Sequence, residues 1–253
     1  MGGRTAVVTG AASGIGRAVV EVLVDGGYCV VAADIRAEGL AWCAGHERVA
    51  PVAADASSID DNEAMVATAL ATFGRLDVAV LNAGVVGGGP FDGVSVADID
   101  RVVAVDMVGV AHGIRAALPA LRASGGGPSI VVTASVSGLG GDPDMWVYNM
   151  AKGGVINLVR SAAFNLGPEG IRVNAVCPGP THTGLTAAIA EERPQVYESL
   201  RQMVPLQRWG EPSEIAAVIA FLAGPAASFV NGAIIPVDGG VTASSGQFAP
   251  VAH

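Results

Sequence analysis

The chain has little of what metal-dependent, secreted or nucleic-acid-binding proteins rely on. Its three cysteines, Cys29, Cys43 and Cys177, share no CxxC spacing and are odd in number. Neither a disulfide framework nor a zinc site is indicated, and they read as small buried residues in a reducing compartment. Four histidines, His46, His112, His182 and His253, stand far apart with no pair at metal-ligand spacing, so no metal is needed. Basic residues are scarce: 14 Lys and Arg face 23 Asp and Glu, for a net charge of −9. Such a surface repels phosphate backbones and argues against a nucleic-acid partner. Charge of either sign is also sparse, at 15% of 253 residues, while 51% are apolar. That balance excludes a disordered or fibrous chain and favours one packed domain over 1–253. No signal peptide is expected, because the apolar run after Arg4 is short and breaks at Thr9 and Gly10. One uncharged stretch, 215–237, is long enough to span a bilayer. Gly224 with Pro225, and Asn231 with Gly232, interrupt it. A buried helix over 212–223 and a strand over 233–237 are the better expectation. Together these absences point to a cytoplasmic protein without membrane partners.

What is present is alternation. Short apolar runs at 5–9, 28–33, 48–54, 76–81, 130–134, 171–177 and 233–237 alternate with stretches of helical periodicity such as 17–25, 58–73 and 95–123, the last interrupted at Pro119. Seven such strands imply an α/β fold, a Rossmann-like doubly wound parallel sheet covered by helices on both faces. Ligands of such sheets bind at the carboxyl ends of the strands. There, after the first run, stands G10AASGIG16. Gly10, Ser13, Gly14, Ile15 and Gly16 would let the backbone and a helix N-terminus approach a pyrophosphate. The spacing is GxxxGxG, a variant of the general dinucleotide fingerprint GxGxxG. Asp34 ends the second run about 20 residues further on, where a carboxylate accepts from both hydroxyls of an adenosine ribose and repels a 2′-phosphate. NAD is therefore expected in preference to NADP, although Arg36 stands close enough in sequence to reach a 2′-phosphate. Asp55, after the third run, is placed to bond the adenine edge, and Asn82, Ala83 and Gly84 form a second turn beside the first.

The chemistry concentrates in S135VSGLGGDPDMWVYNMAK152. On a helix, Tyr148 and Lys152 lie at i and i+4, one turn apart on one face. A neighbouring cation favours the phenolate of a tyrosine whose ordinary titration lies near pH ~10. The pair is thus a candidate general acid/base, with the Ser135 hydroxyl at a strand end to hold a substrate oxygen. Taken alone, a Tyr and a Lys at this spacing are more often a solvated face.

T9GAASGIG16, N82AG84, Ser135 thirteen residues before Tyr148, Y148NMAK152, N174AVCPG179 and V237DGG240 occur together in an order and spacing that resemble the short-chain dehydrogenase/reductase family across nearly the whole chain. The resemblance implies hydride transfer between a secondary alcohol or ketone and C4 of a nicotinamide. Tyr148 would exchange the proton, Ser135 would hold the oxygen, and Lys152 would also hold the nicotinamide ribose. Pro178 and Thr181 backbone groups and the Thr183 side chain would fix the carboxamide. It further implies a homotetramer, a substrate lid over about 185–209 and a tail over 244–253 that reaches a neighbouring subunit. One residue departs from the family: in V105DMVG109 an aspartate, Asp106, stands where an asparagine is usual. An ionised Asp106 near Lys152 would partly cancel the field that acidifies Tyr148. The substrate walls are expected at 85–92, 138–146 and 185–209. Their Met145, Trp146, Tyr197, Met203 and Trp209 either enclose an apolar or ring-containing substrate or pack the lid onto the body. His182 faces substrate or is a solvated loop residue. Rival readings are a 3-oxoacyl-type ketoreductase and a non-catalytic NAD-binding sensor or structural module.

Overall fold

The β-branched runs pair side by side in one parallel sheet in the computed structural model, which describes residues 3–184 and 186–243. Its strands are β1 (Thr5–Thr9), β2 (Cys29–Asp34), β3 (Val49–Ala53), β4 (Val78–Leu81), β5 (Ser129–Thr133), β6 (Arg172–Pro178) and β7 (Ile234–Val237), in the spatial order β3-β2-β1-β4-β5-β6-β7. The helices are α1 (Gly14–Asp25), α2 (Ile59–Phe73), α3 (Val96–Val103), α4 (Gly109–Ser124), α5 (Trp146–Leu166), α6 (Ala187–Glu192), α7 (Pro194–Met203) and α8 (Pro212–Ala223). Both edge strands carry a proline, Pro51 in β3 and Pro236 in β7, where a missing N–H blocks further pairing.

Successive strand residues point to opposite faces, and each face builds its own core. Val7, Val31, Ile130, Val132 and Val173 meet Met65 of α2, Ile114 and Leu121 of α4 and Val155 and Val159 of α5. Ala6, Val8, Val30, Val80 and Val131 meet Val19, Val20 and Leu23 of α1 and Ile215, Ile219 and Leu222 of α8. The uncharged stretch near the C-terminus is thus a buried helix and an edge strand, as its glycines and prolines predict.

The segment 95–123 differs from the sequence expectation. Pro119 lies inside an unbroken α4, and the irregularity falls earlier, in a π-helical turn at Ala104–Val108 between α3 and α4. Proline removes one backbone bond, whereas Ala116, Ala117, Ala120 and Leu121 around it are buried and hold the helix in place. By length and hydropathy Val96–Ser124 could cross a membrane, but Val102, Val110, Ile114 and Leu121 are buried within the protein. The chain order of the sheet reverses between β1 and β4, which brings the turns after these two strands together at the carboxyl edge. The tail 244–253 and Leu185 lie outside the described residues.

Candidate active site

The glycine turn is closed from two sides. Asn82 N and Ala83 N both donate to Thr9 Oγ1, at 2.9 and 3.0 Å. Both ends of the Asn82 amide are engaged, with Nδ2 donating to Thr9 O at 3.0 Å and Oδ1 accepting from Thr133 Oγ1 at 3.1 Å. Its side chain therefore stitches β1, β4 and β5 and leaves backbone to face a ligand. A Cβ on Gly16 would lie 2.1 Å from Gly10 O, so only glycine lets α1 start this close to the turn. The N-cap, Ser13, makes no side-chain bond to the helix, which leaves the first-turn N–H groups of α1 to an anion.

Asp34 is buried at the end of β2. Oδ2 accepts from Ala12 N and Oδ1 from Arg36 N, each at 3.0 Å. Arg36 folds back over it, with Nε 3.6 Å from Oδ1 and Nη2 donating to Ser13 Oγ at 3.4 Å. The sequence places Arg36 only near Asp34; its reach to Ser13 depends on how β2 leaves the sheet. Asp55 Oδ1 accepts from Ser57 N and Oγ, at 2.8 and 2.7 Å, an internal turn that fixes the carboxylate.

Ser135 lies two residues beyond β5 and caps the short turn Val136–Gly138, its Oγ accepting from Ser137 N at 3.1 Å. The hydroxyl hydrogen stays available to donate. Behind it, burial pushes the Cys177 thiol up to about 11, although the Ser135 N–H points at its sulfur. Tyr148 is half-buried on the first turn of α5. Lys152 Nζ stands 5.5 Å from the centroid of its ring, the placement that i and i+4 spacing predicts.

Lys152 is almost fully buried. Its Nζ donates to Thr133 O at 3.2 Å and sits 3.1 Å from Asp106 Oδ2. The latter is an ion pair without hydrogen-bond alignment, since Oδ2 has no aligned donor among the described residues. Asp106 Oδ1 accepts from Val85 N at 2.7 Å. Burial pulls the Lys152 pKa down, but the charges of Tyr148 and Asp106 outweigh it, and the ammonium is held above its ordinary value. Asp106 is wholly buried and faces the lysine, as the expected cancellation of its field requires.

On the far side, Thr181 Oγ1 donates to Gly179 O at 2.9 Å. Thr183 sits against the glycine turn: a Cβ on Gly14 would lie 3.2 Å from Thr183 Cβ. Thr186, which sequence reasoning missed, organises this segment. Its Oγ1 donates to Thr181 O at 2.7 Å and accepts from Thr183 N at 3.0 Å. No motif marks it. Of the expected wall residues, Tyr197 and Trp209 stack on each other at 4.7 Å and on His182, so they pack the 185–209 segment onto the body. Trp146, the first residue of α5, stacks on exposed Phe91 at 4.8 Å. His182 bridges Glu211 and Tyr197 and is not a free loop residue. A cavity of about 710 Å³ lies between α1, α6 and the start of α8 and is not lined by Ser135, Tyr148 or Lys152. It is therefore distinct from the candidate chemical centre. Among the described residues no cluster of three metal-ligating side chains occurs.

Residues 10–242 match the family described as enoyl-(acyl carrier protein) reductase. The chain is 41% identical to meso-2,3-butanediol dehydrogenase of Serratia marcescens over 96% of each chain. It is 43% identical to cis-4-hydroxycyclohexanecarboxylate dehydrogenase of Sinomonas cyclohexanicum, over 95% of this chain and 97% of that one. The crystal structure of 3-ketoacyl-(acyl-carrier-protein) reductase from Brucella melitensis complexed with NADH superposes with a TM-score of 0.87 at 33% identity, covering 95% of this chain and 98% of that one.

Proposed function

Since the chain belongs to the short-chain dehydrogenase/reductase family, and is an oxidoreductase using a nicotinamide cofactor, we propose that it interconverts a secondary alcohol and a ketone with NAD, Tyr148 serving as general acid/base. The observation that carries this reading is the buried Lys152 ammonium, 5.5 Å from the Tyr148 ring and kept charged at the end of β5. A buried cation beside a phenol favours the phenolate, the form that takes a proton from an alcohol.

The residues fit the cofactor. The Gly16 approach and the uncapped α1 N-terminus suit a pyrophosphate, and Asp34 suits a ribose diol. When bound, the nicotinamide supplies the hydride acceptor or donor at C4. In the oxidative direction Ser135 donates its free hydroxyl hydrogen to the substrate oxygen and holds it toward Tyr148. Tyr148 Oη then takes the alcohol proton. Lys152 Nζ donates to Thr133 O and stands against the Asp106 carboxylate; an N–H left over would serve a ribose hydroxyl. Backbone groups at Pro178 and Thr181 and the Thr183 side chain would hold the carboxamide and so would select the ring face. Asp34 selects NAD: a 2′-phosphate would meet a buried carboxylate whose nearest cation, Arg36, is already paired with it.

The substrate is a small alcohol or ketone, as the names of the two curated relatives support. Phe91 stacked on Trp146 gives an apolar surface at the start of α5, in keeping with a cyclic or otherwise apolar substrate. Exposed Phe164 and Phe229 support a homo-oligomer, a tetramer in this proposal, to be checked by light scattering. Three free thiols support a cytoplasmic location. The ion pair that ties Asp106 to Lys152 favours, as the second reading, an NAD-binding module without turnover. NADH formation on cyclic, aromatic and steroid secondary alcohols, run in parallel with NADP and with a 3-oxoacyl thioester in reverse, tests both. The first reading expects turnover with NAD and its loss in Tyr148→Phe with NAD binding intact. Binding with no turnover on any of them refutes it.

A further inference from the structure

The segment after β6 reaches α7 through one side chain. His182, between Thr181 and Thr183, lies 2.8 Å through Nδ1 from Glu211 Oε1 and 3.0 Å through Nε2 from Tyr197 Oη. Its ring is parallel to Trp209 at 5.6 Å and to Tyr197 at 6.1 Å. The carboxylate requires the proton on Nδ1 in the neutral ring, which leaves Nε2 to accept from the Tyr197 hydroxyl; in the imidazolium Nε2 donates instead. The bridge is therefore satisfied in both protonation states.

Three further observations show how much depends on it. No residue of α7 is fully buried, so that helix is not held by a core. Among the described residues, His182 to Tyr197 is the one side-chain hydrogen bond from 178–183 to α7. Behind the segment lies the 710 Å³ cavity, lined by His182, Thr183 and Tyr197, into which an unfastened lid has room to move. Thr183 and Gly184 also rest on the glycine turn, a Cβ on Gly184 lying 3.6 Å from Ser13 Oγ. Whatever lets α7 drift also loosens the cover over the turn where the cofactor's phosphates belong.

We propose that His182 is a positioning residue: it latches α7 through Tyr197 to the cofactor-covering segment, with Glu211 and Trp209 as its anchor, and so sets how fast the dinucleotide leaves. This rests on the cofactor site proposed above. Tyr197→Phe removes the latch bond and keeps the aromatic stack; His182→Ala removes both. In cofactor-free protein, amide exchange over Pro194–Met203 should rise about fivefold in Tyr197→Phe, the ordinary worth of one neutral hydrogen bond. NADH dissociation, followed by its fluorescence, should speed up two- to about fivefold. KM for NAD should rise by a similar factor while kcat stays level or increases, and the thermal midpoint should move by no more than about 2 °C. The double variant should match His182→Ala, because the two changes remove the same bond. Unchanged exchange in α7 overturns the latch. Faster exchange with unchanged NADH dissociation, or a fall in kcat at constant KM, overturns its positioning role. If the wild-type protein does not bind NADH, the proposed function fails, and the exchange measurement still decides the latch.

Discussion

Replacing Asp106 by Asn should move the onset of alcohol oxidation to lower pH. In the proposed mechanism Tyr148 acts in that direction as a phenolate, favoured by Lys152 and opposed by the Asp106 carboxylate. Asp106 Oδ2 lies 3.1 Å from Lys152 Nζ, itself 5.5 Å from the Tyr148 ring centroid. Laid end to end, these separations keep the carboxylate within roughly 9 Å of the ring. Two unit charges at that distance interact by about 2 kcal/mol at an effective dielectric of 20, equivalent to a little over one pH unit. Tyr148 is only half-buried, and solvent screening reduces the expected displacement to about 0.5–1 unit. Asn retains an oxygen for Val85 N, so the turn after β4 should hold. The assay is the initial rate of NADH formation between pH 6 and 10.5 at saturating NAD and alcohol, wild type against Asp106→Asn. Superimposable profiles, or a rise at higher pH in the variant, refute the electrostatic coupling. Stability gives an independent check. Because the Lys152 pKa is raised in the folded state, its contribution is fully present below the ordinary lysine value and fades as pH climbs past the raised one. The variant should therefore be less stable at pH 7, by about 2 kcal/mol in urea unfolding.

Gly16→Ala should lower the thermal midpoint by several degrees and weaken NADH binding at least tenfold, since its Cβ would fall 2.1 Å from Gly10 O; wild-type affinity would show that the turn does not carry the pyrophosphate. Asp77→Ala should cost about 3 kcal/mol in urea unfolding, because the buried carboxylate accepts from Thr5 N at 2.8 Å and from Arg75 Nε and Nη2 at 2.8 and 2.6 Å. KM for NAD should not change, as Asp77 lies at the opposite end of the strands from the candidate site. A thiol reagent at pH 8 should modify at most Cys29 in the native protein, since Cys43 and Cys177 are buried and burial raises both thiols; rapid native labelling of three thiols would contradict this.

Strand runs, helix positions and the glycine turn were legible because their causes are local. Alternation of two puts Val7 and Val8 on opposite faces of β1, and a step of four residues puts Lys152 beside Tyr148, wherever the rest of the chain goes. Asp34 was legible for the same reason, as the residue that ends an apolar run. The irregularity in 95–123 was misplaced at Pro119, since a proline shows in the sequence and a π turn does not. Thr186 was invisible because hydroxyl bonding to a loop backbone needs no motif. The side-chain roles of Asn82 and Asp55 also escaped sequence reading, because their partners, Thr9 and Thr133 in one case and Ser57 in the other, are chosen by strand order and turn shape.

The sequence by itself determined a doubly wound sheet, a glycine turn at its carboxyl edge and a tyrosine with a lysine one turn away. Each follows from the reach of a backbone over a few residues. Only the tertiary structure decided which distant groups meet. Asp106 faces Lys152, 46 positions away, because α3, the π turn and α5 pack together over the end of β4. His182 became a bridge because α7 and the start of α8 converge on it. Such contacts are set by how layers stack and by what their burial costs, and residue periodicity carries no record of either.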